Sequence, residues 1–161
     1  MNEMRAFDRL AGTWKVTGGA EGVVRYAWMD GGFFLLQHVD LVHDGRRISG
    51  MEVIGHLHPF GEPVGDDVVS RFYDTQGNTL DYVYEIDEHM LTIWGGAKGS
   101  PACYRGAIDA DGTTITGGWT YPGGGYTTTM VRVRPSTAPQ PSGQGPDSGD
   151  AFEQPVGVHI A

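Results

Sequence analysis

From Thr13 onward, short runs in which large apolar or aromatic residues alternate with polar ones are punctuated by glycine, Asp-Gly pairs and proline. An alternation of period two is the mark of a half-buried β-strand. It predicts strands at residues 13–19, 22–30, 33–43, 46–57, 67–74, 80–86, 90–95, 102–109, 113–120 and 126–134. Turn signals separate them, among them Gly19-Ala20-Glu21, Asp30-Gly31-Gly32, Asp44-Gly45, Gln76-Gly77-Asn78, Asp111-Gly112 and Pro122-Gly123-Gly124-Gly125. Helical spacing occurs once, where Met4, Phe7 and Leu10 recur in a segment from Glu3 to Leu10 that stops at Gly12.

Strands joined in succession by tight turns pair antiparallel. About ten of them in an open sheet would leave two bare edges, so the pattern predicts an all-β fold: an antiparallel up-and-down barrel of about ten strands with a short N-terminal helix. A barrel of that size has an interior wider than side chains alone ordinarily fill, which points to a cavity. Glycine is abundant, and Gly50, Gly55, Gly117 and Gly118 fall inside strands, where bulges or sharp coiling are expected.

The grammar changes near Pro135. Residues 135–161 are dense in Pro, Gly, Ser and acidic groups and poor in large apolar side chains. Such a segment buries too little surface to offset the entropy of ordering it, so a barrel domain at 1–134 followed by a disordered acidic tail is expected, with His159 near the tail's end. A chain of 161 residues suffices for one self-supporting domain without disulfides, and the single Cys103 has no internal partner. With no charged-then-apolar leader at the start, the expected location is the cytoplasm.

Charge and hydropathy narrow the partners. Twenty acidic residues against eleven basic ones give a net charge of −9, which opposes a nucleic-acid backbone. The longest apolar run, Phe33 to Leu36, is far too short to span a bilayer, so no membrane partner is expected. The protein is expected to act as a monomer or homodimer.

Chemistry concentrates in GMEVIGHLHPFG. Residues two apart share a strand face, so His56 and His58 would point the same way as Glu52 if the strand ran unbroken. Two imidazoles and a carboxylate resemble part of a zinc site, but Pro59 follows directly and no fourth ligand stands at a recognisable spacing, so no metal is expected. Across the Asp44-Gly45 hairpin, His38 can meet Glu52 as an acid/base pair, or the two can form an ordinary polar pair on the outer face. His56, His38 and Glu52 are thus the candidate catalytic residues, and alternation alone leaves open which face of these strands looks inward.

Aromatic side chains supply apolar walls with polar tips. Trp28, Tyr73, Tyr84, Trp94, Tyr104 and Trp119, spread over the strands, are the candidate lining of a pocket for an apolar or aromatic molecule. No phosphate-binding loop, nucleophile elbow or paired-cysteine motif is present, and Asp109, Asp111 and Gly112 read as a hairpin turn, so no cofactor is expected.

The opening FDRLAGTWKVTG, followed by DGGFFLLQHV, GMEVIGHLHPFG, SRFYDTQGN, LTIWGG, YRGAIDADGTTITGGW and GGGYTTTMVRVR, resembles lipocalin-like, or calycin, barrels of the bacterial domain-of-unknown-function type and, distantly, nitrobindin-like barrels. The resemblance covers nearly all of residues 6–134. It implies that Trp14 plugs the closed end of the barrel and that a basic residue of the last strand, Arg132 or Arg134, packs over it. Nitrobindin-like barrels hold haem through a late histidine, and the final strand here contains none, which argues against haem. The resemblance also implies two functions for the cavity: binding of a small apolar molecule, or a cyclase or isomerase of secondary metabolism that folds its substrate there without metal or nucleotide.

Overall fold

The computed structural model describes residues 3–134. The proposed tail and His159 lie outside them. A 3-10 helix spans Glu3–Leu10, and ten strands follow: β1 Gly12–Gly18, β2 Glu21–Trp28, β3 Leu35–His43, β4 Arg46–His56, β5 Val68–Asp74, β6 Thr79–Ile86, β7 Met90–Gly95, β8 Cys103–Ile108, β9 Thr114–Tyr121 and β10 Gly124–Arg132. Every strand expected from the alternation forms, with ends within two residues of the expected ones.

Each strand pairs antiparallel with its sequence neighbours, and β1 pairs with β10 to close the ring. At one rim the strands are joined by short turns except for the connection 96–102 between β7 and β8. Between β3 and β4 the turn is Asp44-Gly45, with φ of 50° and 74°, the doubly left-handed geometry that suits the twist of a two-residue hairpin. The connections 29–34 and 57–67 lie at the opposite rim beside the helix.

The ladders run through Gly55, Gly117 and Gly118 in unbroken register, so these glycines are not bulges. They serve close approach instead. A side chain at Gly55 would meet the Phe34 ring at 2.5 Å.

The helix closes its rim. Met4, Phe7 and Leu10 are buried on the barrel, and Trp14 beneath them is fully buried, its indole N–H donating to the Leu10 carbonyl at 2.8 Å. Of the two candidates for the basic partner, Arg132 takes the place: its guanidinium lies 4.4 Å from the centre of the Trp14 ring and donates to the carbonyls of Ala11 and Arg9. Gly12 suits this place because its φ of 126° is one that residues with a side chain rarely adopt, and a Cβ would also stand 2.6 Å from the arginine Nη1. Burying a side chain the size of Trp14 contributes on the order of 4 kcal/mol, an upper bound against a compact unfolded chain.

Inside, rings fill most of the barrel. Tyr82 and Tyr104 each stand 5.8 Å from Trp119, ring centre to ring centre. The cavity that Tyr104 and Trp119 share with Tyr26, Leu91 and Tyr126 measures about 30 Å³. That is room for about one or two waters, so the wide interior expected of ten strands is instead closed by aromatic side chains. No helix among the described residues is long and apolar enough to cross a membrane.

Candidate functional site

The inward face of β4 is its more polar phase. Ile48, Gly50, Glu52 and Ile54 stand opposite Leu41, Val39, Gln37 and Leu35 of β3, which are buried. Glu52 therefore points into the barrel and is 1 % exposed. Ser70 of β5 donates its hydroxyl to Oε1, and Tyr84 of β6 donates to Oε2 at 2.8 Å. Both partners are neutral, so burial dominates and pushes the carboxyl up to about 7, while the two hydrogen bonds pull the other way. Such a group exchanges a proton near neutrality, as an acid/base catalyst must.

Beside it, Gln37 donates from Nε2 to the Tyr26 hydroxyl at 2.7 Å, while its buried Oε1 has no hydrogen-bond partner among the described residues. Burial, and then the proximity of Glu52, raises the Tyr26 and Tyr84 hydroxyls well above the ordinary phenol. Both stay neutral, Tyr84 donating to Glu52 and Tyr26 accepting from Gln37.

His38 stands elsewhere. Its ladder partners are Arg25 and Met51, whereas Gln37 is the residue opposite Glu52. Histidine 38 and the carboxylate are on opposite faces of the wall, so the anticipated pair between His38 and Glu52 does not form. Burial and then Arg25 hold the His38 imidazole below its usual value, and its Nδ1 is buried without a hydrogen-bond partner among the described residues.

The aromatic candidates divide by the same alternation. Tyr84, Tyr104 and Trp119 are buried and inward. Trp28 packs against the core at the helix rim, its indole N–H donating to Asp8 at 2.9 Å. Tyr73 and Trp94 do not line the interior. Tyr73 neighbours the buried Phe72 and is 48 % exposed, lining an outer groove with Val53, Val69 and the Arg71–Asp81 ion pair. Trp94 follows the buried Ile93 and lies under the Arg105 guanidinium at 5.5 Å.

His56 is the last residue of β4 and sits at the helix rim. Its Nδ1–H donates to the Gly65 carbonyl at 2.8 Å, because a carbonyl accepts and cannot donate. Nε2 is left facing the Glu3 carboxylate at 3.7 Å. His58 lies beyond the strand, which ends before Pro59, and is exposed. Among the described residues no three His, Cys, Asp or Glu side chains gather into a metal-binding group.

Around His56 opens a cavity of about 970 Å³, walled by Met4, Phe33, Phe34 and Val64 and edged by Glu3, His58 and Asp66. Phe33 is 66 % exposed and Val64 52 %. Sequence reasoning missed these walls, because Phe33 and Phe34 read as the start of a strand. The strand begins at Leu35, and the Asp30-Gly31-Gly32 turn is the signal that the chain had not yet re-entered the sheet.

No protein-family model matches the chain, and no curated protein matches it. The closed ten-stranded ring is compatible with a calycin-like fold, and the stacking of Arg132 on Trp14 agrees with what that resemblance implies.

Proposed function

We propose that the helix rim binds a small, largely apolar molecule, with Met4, Phe33, Phe34 and Val64 as walls and Nε2 of His56 as the orienting polar group. The observation that carries this reading is the 970 Å³ cavity itself. Its size falls in the range of small-molecule sites, and two of its apolar walls, Phe33 and Val64, stand open to water in a chain whose interior is otherwise filled. The ligand thus belongs at the mouth of the barrel, where the original expectation put it in the lumen. A reducing cytoplasm suits the unpaired Cys103.

A cyclase or isomerase is the second reading, and Glu52 favours it. A buried carboxyl that titrates near 7, beside the Tyr84 and Ser70 hydroxyls, is equipped to move a proton on a substrate that needs little other help. The ring of Phe7 lies 6.2 Å from that of Tyr84, so on the helix side a substrate would have to displace Phe7 to approach Glu52.

Titration with N-phenylnaphthylamine, a neutral apolar fluorophore, tests the binding reading. Saturable binding to the wild type and its loss in Phe33→Asp and Val64→Asp are expected. No saturable binding, or binding indifferent to both substitutions, overturns it. Native mass spectrometry of protein purified from its own host then shows what co-purifies.

A further inference from the structure

The charges around the mouth cavity go further than its apolar walls. Glu3 and Asp66 edge it, and among the described residues neither lysine nor arginine lines it. Lys98 lines an adjoining groove that Glu3 and Asp66 also border, and its ammonium is engaged there by Glu85 at 2.9 Å and by Asp67 at 3.8 Å. Asp66 makes no ion pair among the described residues, and Glu3 meets only the imidazole of His56, at 3.7 Å. Two carboxylates without a fixed counter-charge therefore face a cavity whose walls include two phenylalanine rings.

We propose that this cavity selects an organic cation: a small apolar molecule carrying a protonated amine or a quaternary ammonium group. The inference rests on the binding reading above and names the ligand's chemistry. The hydrocarbon part lies against Met4, Phe34 and Val64, and the cationic head lies between Glu3 and Asp66, close to the face of Phe33. Rings attract cations through their negative faces, and the net charge of −9 adds a long-range field of the same sign. A carboxylate ligand meets the opposite situation, with only the imidazoles of His56 and His58 to receive it.

Phenylbutylamine, phenylbutanol and phenylbutyrate share a skeleton and differ in head group. Each is titrated calorimetrically into the full-length protein near pH 7. The amine is expected to bind about tenfold more tightly than the alcohol, an advantage built from exposed ion pairs and ring faces, with the butyrate weakest. Added salt narrows the gap. In the double variant Glu3→Gln, Asp66→Asn the amine falls to within about twofold of the alcohol, whose own affinity is unchanged. Alcohol or butyrate binding as tightly as the amine overturns the cation while leaving the apolar site intact. An amine preference that survives the double variant overturns the role of these carboxylates. If none of the three binds and N-phenylnaphthylamine is also silent, the binding reading itself fails.

Discussion

The phenol of Tyr84 donates to Oε2 of Glu52 across 2.8 Å, and both side chains are buried in the barrel wall. Because burial outweighs that bond and the one from Ser70, the folded protein holds a proton on Glu52 up to about pH 7, while the unfolded chain releases it near 4.5. Between those values the folded state binds the extra proton, so stability from this group is full below about 4.5 and lost as pH rises through about 7. The span corresponds to roughly 3 kcal/mol. Urea denaturation of wild type and Glu52→Gln over this range should show curves that diverge as pH rises, the variant being the more stable at pH 8. Parallel curves would mean that the carboxyl ionises at the same pH in the folded and the unfolded chain.

Tyr84→Phe removes one of the two bonds that favour the ionised carboxylate. The Glu52 midpoint should move above 7, and stability should fall by about 1–3 kcal/mol because a buried oxygen loses its donor. Carbon-detected NMR of labelled glutamate carboxyls reads the midpoint directly. A midpoint that stays put, or moves down, removes Tyr84 from the electrostatics of the site.

Arg132→Met keeps the aliphatic stem over Trp14 but leaves the carbonyls of Arg9, Ala11 and Gly112 without their donor. A loss of about 2–3 kcal/mol is expected from the missing hydrogen bonds and the ring–cation contact. Hydrogen exchange should quicken across residues 3–11 before it quickens in the strands. Exchange that rises uniformly over the barrel would show that the arginine holds the whole ring and not the helix.

His38→Ala and Tyr73→Ala alter the outer wall and should leave N-phenylnaphthylamine affinity within about twofold of wild type, as surface changes remote from a site generally do. His56→Ala removes the imidazole at the mouth and should weaken a hydrogen-bonding ligand more than a purely apolar one. A fluorescence titration across the three variants separates these cases. Equal losses in all three would place the site on the outer wall.

The strands were legible because β-structure writes its period into the sequence: Leu35, Gln37, Val39 and Leu41 alternate with residues that face out, and Asp44-Gly45 fixes where the hairpin turns. The inward phase was not legible. Glu52 and Gln37 go inside because Ser70, Tyr84 and Tyr26, from other strands, satisfy them there, and no local pattern encodes that meeting. Tyr73 and Trp94 looked like their inward neighbours until register set them outside. The mouth was missed for a different reason, since Phe33, Phe34 and Val64 sit on connections, where alternation carries no information.

The seam between β1 and β10 governs how this chain comes into being. Trp14 pairs with Arg132, residues more than a hundred positions apart, and the same arginine reaches back to the carbonyl of Arg9. While synthesis is under way, β1 has only β2 beside it, and its other edge is bare until the last strand leaves the ribosome. Loop closure over that distance is slow, and an unpaired edge invites other chains. A nascent chain halted before Thr128 should therefore pull down chaperones and aggregate, whereas one extended past Arg132 should not.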